Sequence, residues 1–247
     1  MVKIQAESVL IIVMILLIGV SGCMVDDNKN NRKKTPEEIV LSYMEERYGE
    51  EFVITNMGSV SWTGRGQTNY ILQTKDGFPG NKYEDAYIVA EFSKLDNKVM
   101  RDSYLDFLMR EDIEAFISEL AEGIYQNYRV LYFPSSNRVN YAGMNKGMTA
   151  KEYLRRMVTT NWILCVGDSH NEVERDEAIE QLRVNFAENE ISANFYVFYI
   201  PTAQVKSVYN IDEKELLRAD WVYAYANLTM SSENYQFKRI EWRGSNE

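Results

Sequence analysis

The sequence predicts an α+β protein: an antiparallel sheet meander with packed helices in the first half, and a β-α-β unit plus a C-terminal hairpin in the second. Three observations predict it. Strand-like runs separated by Gly-, Pro- and Asn-containing turns recur between Phe52 and Val99. Two near-continuous apolar runs, "TNWILCV" (160–166) and "ANFYVFYI" (193–200), flank a charged amphipathic stretch. Helix-start signatures precede several stretches of helical periodicity.

In chain order, "TPEE" (35–38) opens the first helix. Thr35 suits the N-cap, Pro36 the first helical position, and Glu38 completes a capping box. Ile39, Val40 or Leu41, Tyr43, Met44 and Tyr48 recur at helical spacing, and Gly49 stops the helix. Strands are predicted over 52–62, 67–75 and 86–92, with a short one near Val99. The loops "TGRG" (63–66), "DGFPGN" (76–81) and "DN" (96–97) join them. Ile113, Phe116, Ile117, Leu120 and Ile124 mark a second helix, and "RVLYF" (129–133) a strand. "PSSNRVNYAGMNKG" (134–147) is the best candidate for a boundary or a long surface loop.

The second half opens with a capping box at Thr149 and Glu152. The apolar runs suit strands buried on both faces, joined by a helix with Ile179, Leu182 and Phe186 on one side. If those strands are neighbours they are parallel. A short helix at 213–218 and a hairpin pairing 221–229 with 235–242 complete the chain. Both halves begin with a capped helix followed by a strand, but their strand counts do not match, which speaks against duplication.

Composition narrows the function. The 247-residue chain is 45% apolar and 13% aromatic, enough to bury a sizeable core. The net charge is −10. Lys3, Lys29, Arg32, Lys33 and Lys34 against Glu7, Asp26 and Asp27 leave +2 before Pro36, so the body carries −12. A body that acidic repels phosphate backbones and argues against nucleic-acid binding. The two cysteines, Cys23 and Cys165, and the single histidine, His170, exclude a disulfide scaffold and any Cys₄ or Cys₂His₂ zinc site.

The N-terminal segment gives the clearest signal. From Val9 to Val20 the chain is apolar apart from Gly19. Twelve helical residues rise about 18 Å, short of the roughly 30 Å hydrocarbon core but within the span of a signal-peptide apolar region. Val20-Ser21-Gly22-Cys23 then closes the run. It resembles the lipobox of bacterial lipoproteins: an aliphatic residue, two small residues, then Cys. Glu7 departs from the usual positive start. The resemblance covers residues 1–23. It implies that a signal peptidase recognises Val20, Ser21 and Gly22 and cuts before Cys23, which carries a diacylglyceryl group and becomes the mature N-terminus. It further implies a palmitate-type lipid anchor at the cell membrane, on the extracytoplasmic face. Two acyl chains on one sulfur meet the two-signal requirement for stable attachment. The organisation expected is a signal peptide (1–22), a flexible tether (23–34), an α+β module (35–133) and a second one (148–247), or one continuous domain in place of the two. "MVDDNKNNRKK" (24–34) reads as a solvated spacer.

"CVGDSH" (165–170) is the one tempting catalytic cluster. A thiol nucleophile with a His base would need both side chains within about 3 Å. Cys165 in an apolar strand instead reads as a small buried hydrophobe. Ser169 with Glu172 makes a helix cap, and Asp168 suits a helix N-terminus. No catalytic residue is therefore assigned. "DGFPGNKYED" (76–85) lacks the EF-hand pattern and reads as a hairpin loop. No metal or cofactor is expected. "NLT" at Asn227 is a coincidental sequon in a bacterial lipoprotein. The seventeen tyrosines are read mostly as strand residues.

The leading expectation is a lipid-anchored accessory or binding protein of the bacterial envelope, with a protein partner at the cell surface and no nucleic acid. The rival is an envelope enzyme using Cys165 and His170. A third reading rests on the first half, whose helix across a curved antiparallel sheet resembles cystatin-like and peptidase-propeptide-like modules on secreted proteins. It implies a protease-inhibitor or sensor-partner role.

Overall fold

Thr35 starts the first helix as its sequence demands. Its hydroxyl accepts from the Glu38 N–H at 3.3 Å, and its own N–H donates to the Glu38 carboxylate at 2.7 Å. Gly49 ends the helix at φ 72°, a left-handed conformation that favours glycine, and its N–H returns to the Glu45 carbonyl. This helix, α1 (Pro36–Tyr48), buries Val40, Met44 and Tyr48, one stripe at four-residue spacing. The computed structural model describes residues 32–58, 66–77, 88–133, 144–157, 161–167, 172–208 and 213–244. Residues 1–31, which hold the lipobox and Cys23, lie outside them. So do Asp168, Ser169 and His170, and all of the 76–85 loop beyond Gly77. Among the described residues no helix is long and apolar enough to cross a membrane.

The protein is α+β. The first sheet is an antiparallel meander of β1 (Phe52–Gly58), β2 (Gln67–Thr74), β3 (Ile88–Ser93) and β4 (Lys98–Asp102), in that order. Strict alternation sets its inner face: Thr68, Tyr70, Leu72 and Thr74 of β2 are buried while the residues between them are not. α1 packs across this face, and Tyr48, Phe52 and Tyr104 meet edge to face at 4.9–6.2 Å. Asp102 is 3% exposed. Its carboxylate accepts from the Tyr48 hydroxyl at 2.6 Å, the Tyr43 hydroxyl at 3.1 Å and the Tyr104 N–H at 3.0 Å. The Arg47 guanidinium stands 3.7 Å away. A buried charge held by so many donors locks α1 to the end of β4.

Two helices follow, α2 (Tyr104–Leu108) and α3 (Arg110–Ala121). Only α3 is legible as periodicity, through Ile113, Ile117 and Leu120. Asp106 of α2 is fully buried and accepts from the hydroxyls of Tyr132 and Tyr153, tying α2 to β5 (Tyr128–Tyr132) and α4 (Ala150–Arg156).

The second sheet has the order β5-β6-β7-β8-β9, with β6 (Asn161–Val166), β7 (Asn194–Tyr199), β8 (Ala224–Met230) and β9 (Phe237–Gly244). β6 and β7 are parallel and joined through α5 (Glu172–Glu188), while every other neighbouring pair is antiparallel. This is the predicted β-α-β unit and terminal hairpin. One finding departs from the sequence reading. β5, counted with the first module because it precedes the 134–147 stretch, pairs with β6 in the second sheet. The change of sheet therefore falls before Tyr128. The physical reason is that Val130, Leu131 and Tyr132 are all buried, so the strand needs a sheet covered on both faces.

That sheet has two apolar faces. On one, Trp162, Phe186 and Phe195 stack, with centroids 4.0–5.9 Å apart, and join a core that runs continuously from Val40 of α1 to Met230 of β8. On the other, Leu131, Ile163, Cys165, Phe198 and Ile200 form a second cluster. Val205 of α6 (Thr202–Val205), Val208, Leu216 of α7 (Glu213–Leu216) and Val222 belong to that cluster.

Candidate functional site

The cluster around Cys165 and Phe198 gives way to polar residues toward the start of β6 and β7. Asn161 begins β6 and Asn194 begins β7, and they are direct partners in the parallel register. Asn194 lies opposite Thr229 of β8, and Tyr196 opposite Asn227. Two-residue alternation puts these side chains on the same side of the sheet as Ile163, Cys165 and Phe198. Here the surface hollows into a cavity of about 500 Å³. The neighbouring strands supply Asn161, Asn194, Asn227 and Thr229, with Tyr196 among them; Phe133 adds an aromatic wall and Lys214 of α7 a cation. The volume lies in the range usual for ligand pockets, about 300–1,000 Å³.

The polar groups differ in how well they are satisfied. The Asn227 amide donates to the Tyr196 hydroxyl at 3.0 Å, which fixes both. The side-chain carbonyl oxygen of Asn194 is buried with no hydrogen-bond partner among the described residues. An unpaired buried acceptor costs about 1–3 kcal/mol, which a donor arriving in the cavity recovers. Lys214 is exposed and forms no ion pair among the described residues. Among the described residues the arrangement presents amides that both donate and accept, the rings of Phe133 and Tyr196, and the positive charge of Lys214.

Cys165, the candidate nucleophile of the rival reading, is fully buried in the second cluster. Burial pushes its thiol up to about 12, and the Arg129 guanidinium offsets this only in part. At neutral pH it stays a protonated thiol, as its apolar strand predicts. His170 lies outside the described residues, so the geometry of the pair is not on view. Among the described residues no group of three or more His, Cys, Asp or Glu is placed to hold a metal ion.

The sequence reading passed over the cavity. Asn is depleted in strands, yet "TNW", "ANF" and "ANL" each carry one in three predicted strands. That recurrence was the available signal.

The fold and the cavity define an α+β protein with an amide-lined hollow on its mixed sheet. No protein-family model matches the chain, and no curated protein matches it. Among solved structures it is similar to the crystal structure of a DUF5037 family protein from Ruminococcus gnavus ATCC 29149. The TM-score is 0.42 at 12% sequence identity, over 81% of this chain and 93% of that one.

Proposed function

We propose that this protein is a lipid-anchored binding protein on the extracytoplasmic face of a bacterial cell membrane, held through Cys23, and that the cavity on its second sheet seats a small polar ligand. The cavity carries the binding half of this reading: three asparagines, Tyr196 and Lys214 line it, and the Asn194 side-chain carbonyl oxygen lacks a donor among the described residues. The lipobox residues Val20, Ser21, Gly22 and Cys23 support the anchor. The burial of Cys165 favours binding over a thiol enzyme, since an inaccessible protonated thiol is a poor nucleophile.

Two measurements test the two halves. Metabolic labelling with palmitate should mark the wild-type chain and leave Cys23→Ala unlabelled; label persisting on the variant contradicts the anchor. Native mass spectrometry of the full chain, solubilised from its own envelope, should show a small-molecule adduct that Tyr196→Ala loses. An adduct retained by Tyr196→Ala contradicts the seat.

A further inference from the structure

We infer that the turn joining β3 to β4 rests on the anionic surface of the membrane, with Leu95 set among the headgroups and Lys94 and Lys98 beside it. The inference rests on the proposed lipid anchor and says how the anchored body is held. The turn is a fixed protrusion. Residues 94–98 are all exposed, and Leu95, at 81%, is the most exposed large apolar side chain among the described residues. The Lys94 N–H donates to the Gly66 carbonyl at 2.8 Å, and Asn97 takes a φ of 51°. The Ser93 hydroxyl donates to the Asp96 carboxylate at 2.7 Å and accepts from the Asp96 N–H at 3.2 Å. A single exposed leucine is ordinary. One held out on a locked turn between two lysines has the composition of an interfacial contact, an apolar tip with cations at headgroup level.

The position of the turn supplies the occupant. α1 meets β1 through residues 49–51, so its last turn lies at the start of β1. Its 13 residues rise about 20 Å, close to the length of β1, so its first turn lies toward the other end. The Tyr70 hydroxyl donates to Glu37 at 3.1 Å, and Tyr70 pairs with Met57 near that end. Gln67 pairs with Ser93 and Ser93 with Lys98, so the β3-β4 turn stands at the same end. Cys23 precedes Arg32 by nine residues, at most about 30 Å of extended chain. The anchor therefore enters at the end of the sheet that carries Leu95. Charge acts in the same direction. Residues 32–38 and 94–98 together hold five basic and three acidic side chains. They carry +2 in a chain of −10, so an anionic leaflet attracts this end and repels the rest.

The test reconstitutes the lipidated full chain into vesicles of phosphatidylglycerol and phosphatidylcholine that contain a headgroup-nitroxide lipid. A nitrobenzoxadiazole probe is placed on Leu95→Cys or, as the control, on Val53→Cys. Val53 lies opposite Gln73, six residues along β2 from Gln67, or about 20 Å from the turn end of the sheet. Cys23 is acylated and Cys165 is buried, so neither takes the probe. The nitroxide should quench the probe at 95 strongly and the probe at 53 barely. Each lysine close to an anionic surface favours the contact about fivefold, so Lys94→Glu with Lys98→Glu should abolish the quenching at 95. Vesicles of phosphatidylcholine alone should do the same. Equal quenching at the two positions overturns the inference, and so does quenching at 95 that survives the charge reversal. A probe at 95 that is shielded on whole cells but untouched by the nitroxide lipid means that a protein covers the turn, and also overturns it. Sedimentation with the vesicles reads the anchor separately. A chain that sediments without quenching at 95 loses the inference and keeps the anchor; a chain that stays in solution loses both.

Discussion

Alkali should unfold this protein in one cooperative step between about pH 11 and 12. Tyr48, Tyr125 and Tyr199 are 1%, 4% and 0% exposed. Burial pushes the Tyr199 phenol up to about 12. It also pushes Tyr48 and Tyr125 strongly upward, with the Asp102 charge adding at Tyr48 and the Tyr199 phenol adding at Tyr125. In the unfolded chain all three titrate near 10. Their folded pKa values lie above the unfolded one, so their stabilisation is complete below pH 10 and is lost as the pH rises. Above pH 10 the unfolded chain releases protons that the native state keeps. Each group then costs about 1.4 kcal/mol per pH unit, and three together about 4 kcal/mol. A stability of about 5–15 kcal/mol is largely consumed within about two units. Phenolate absorbance and far-ultraviolet circular dichroism on the same samples read the outcome. Exposed tyrosines should ionise first, and the buried ones only together with the loss of secondary structure. Tyr125→Phe should move the midpoint to higher pH by removing one of the three groups. Ionisation of every tyrosine near pH 10 with the dichroism intact refutes the reasoning.

Three other outcomes follow from the packing. Asp106→Ala strands the hydroxyls of Tyr132 and Tyr153 in the core. It should cost about 3–5 kcal/mol in urea unfolding, and Asp106→Asn clearly less; an unchanged midpoint contradicts the buried anchor. Gly167→Ala places a methyl 2.7 Å from Val205 Cγ2 and 2.9 Å from the Thr202 Cα. Overpacking there should cost about 1–3 kcal/mol by the same assay, and a neutral effect would mean the α6 turn gives way freely. Cys165 should resist thiol-specific reagents in the native protein and react at once in denaturant; fast native labelling would show that the second cluster opens.

Much of the fold was legible in the sequence because local chemistry agrees with the tertiary outcome. Thr35–Glu38 and Thr149–Glu152 both form the reciprocal caps that their spacing predicts. β2 alternates because one face of its sheet is buried, and β6 is apolar from Trp162 to Val166 because both faces are. Short helices escaped: α2 and α6 span five and four residues, too few to show a period. The partner of β5 escaped because pairing is non-local, and the strand's neighbours in sequence say nothing of β6. The cavity escaped for a related reason. Asn161, Asn194 and Asn227 come together only through the order β6-β7-β8 and its register, which no local pattern encodes. Lys214 arrives from a four-residue helix that the alternation of the strands cannot place.

The claim that the second sheet seats a ligand is tested most directly by photocrosslinking on whole cells from a photoreactive residue at Asn227, with Val53 as the control. Val53 is exposed on β1 of the other sheet. The account predicts a discrete envelope-derived adduct from position 227, abolished by Asn194→Ala and absent from position 53. No adduct from 227, or the same adduct from both positions, contradicts it.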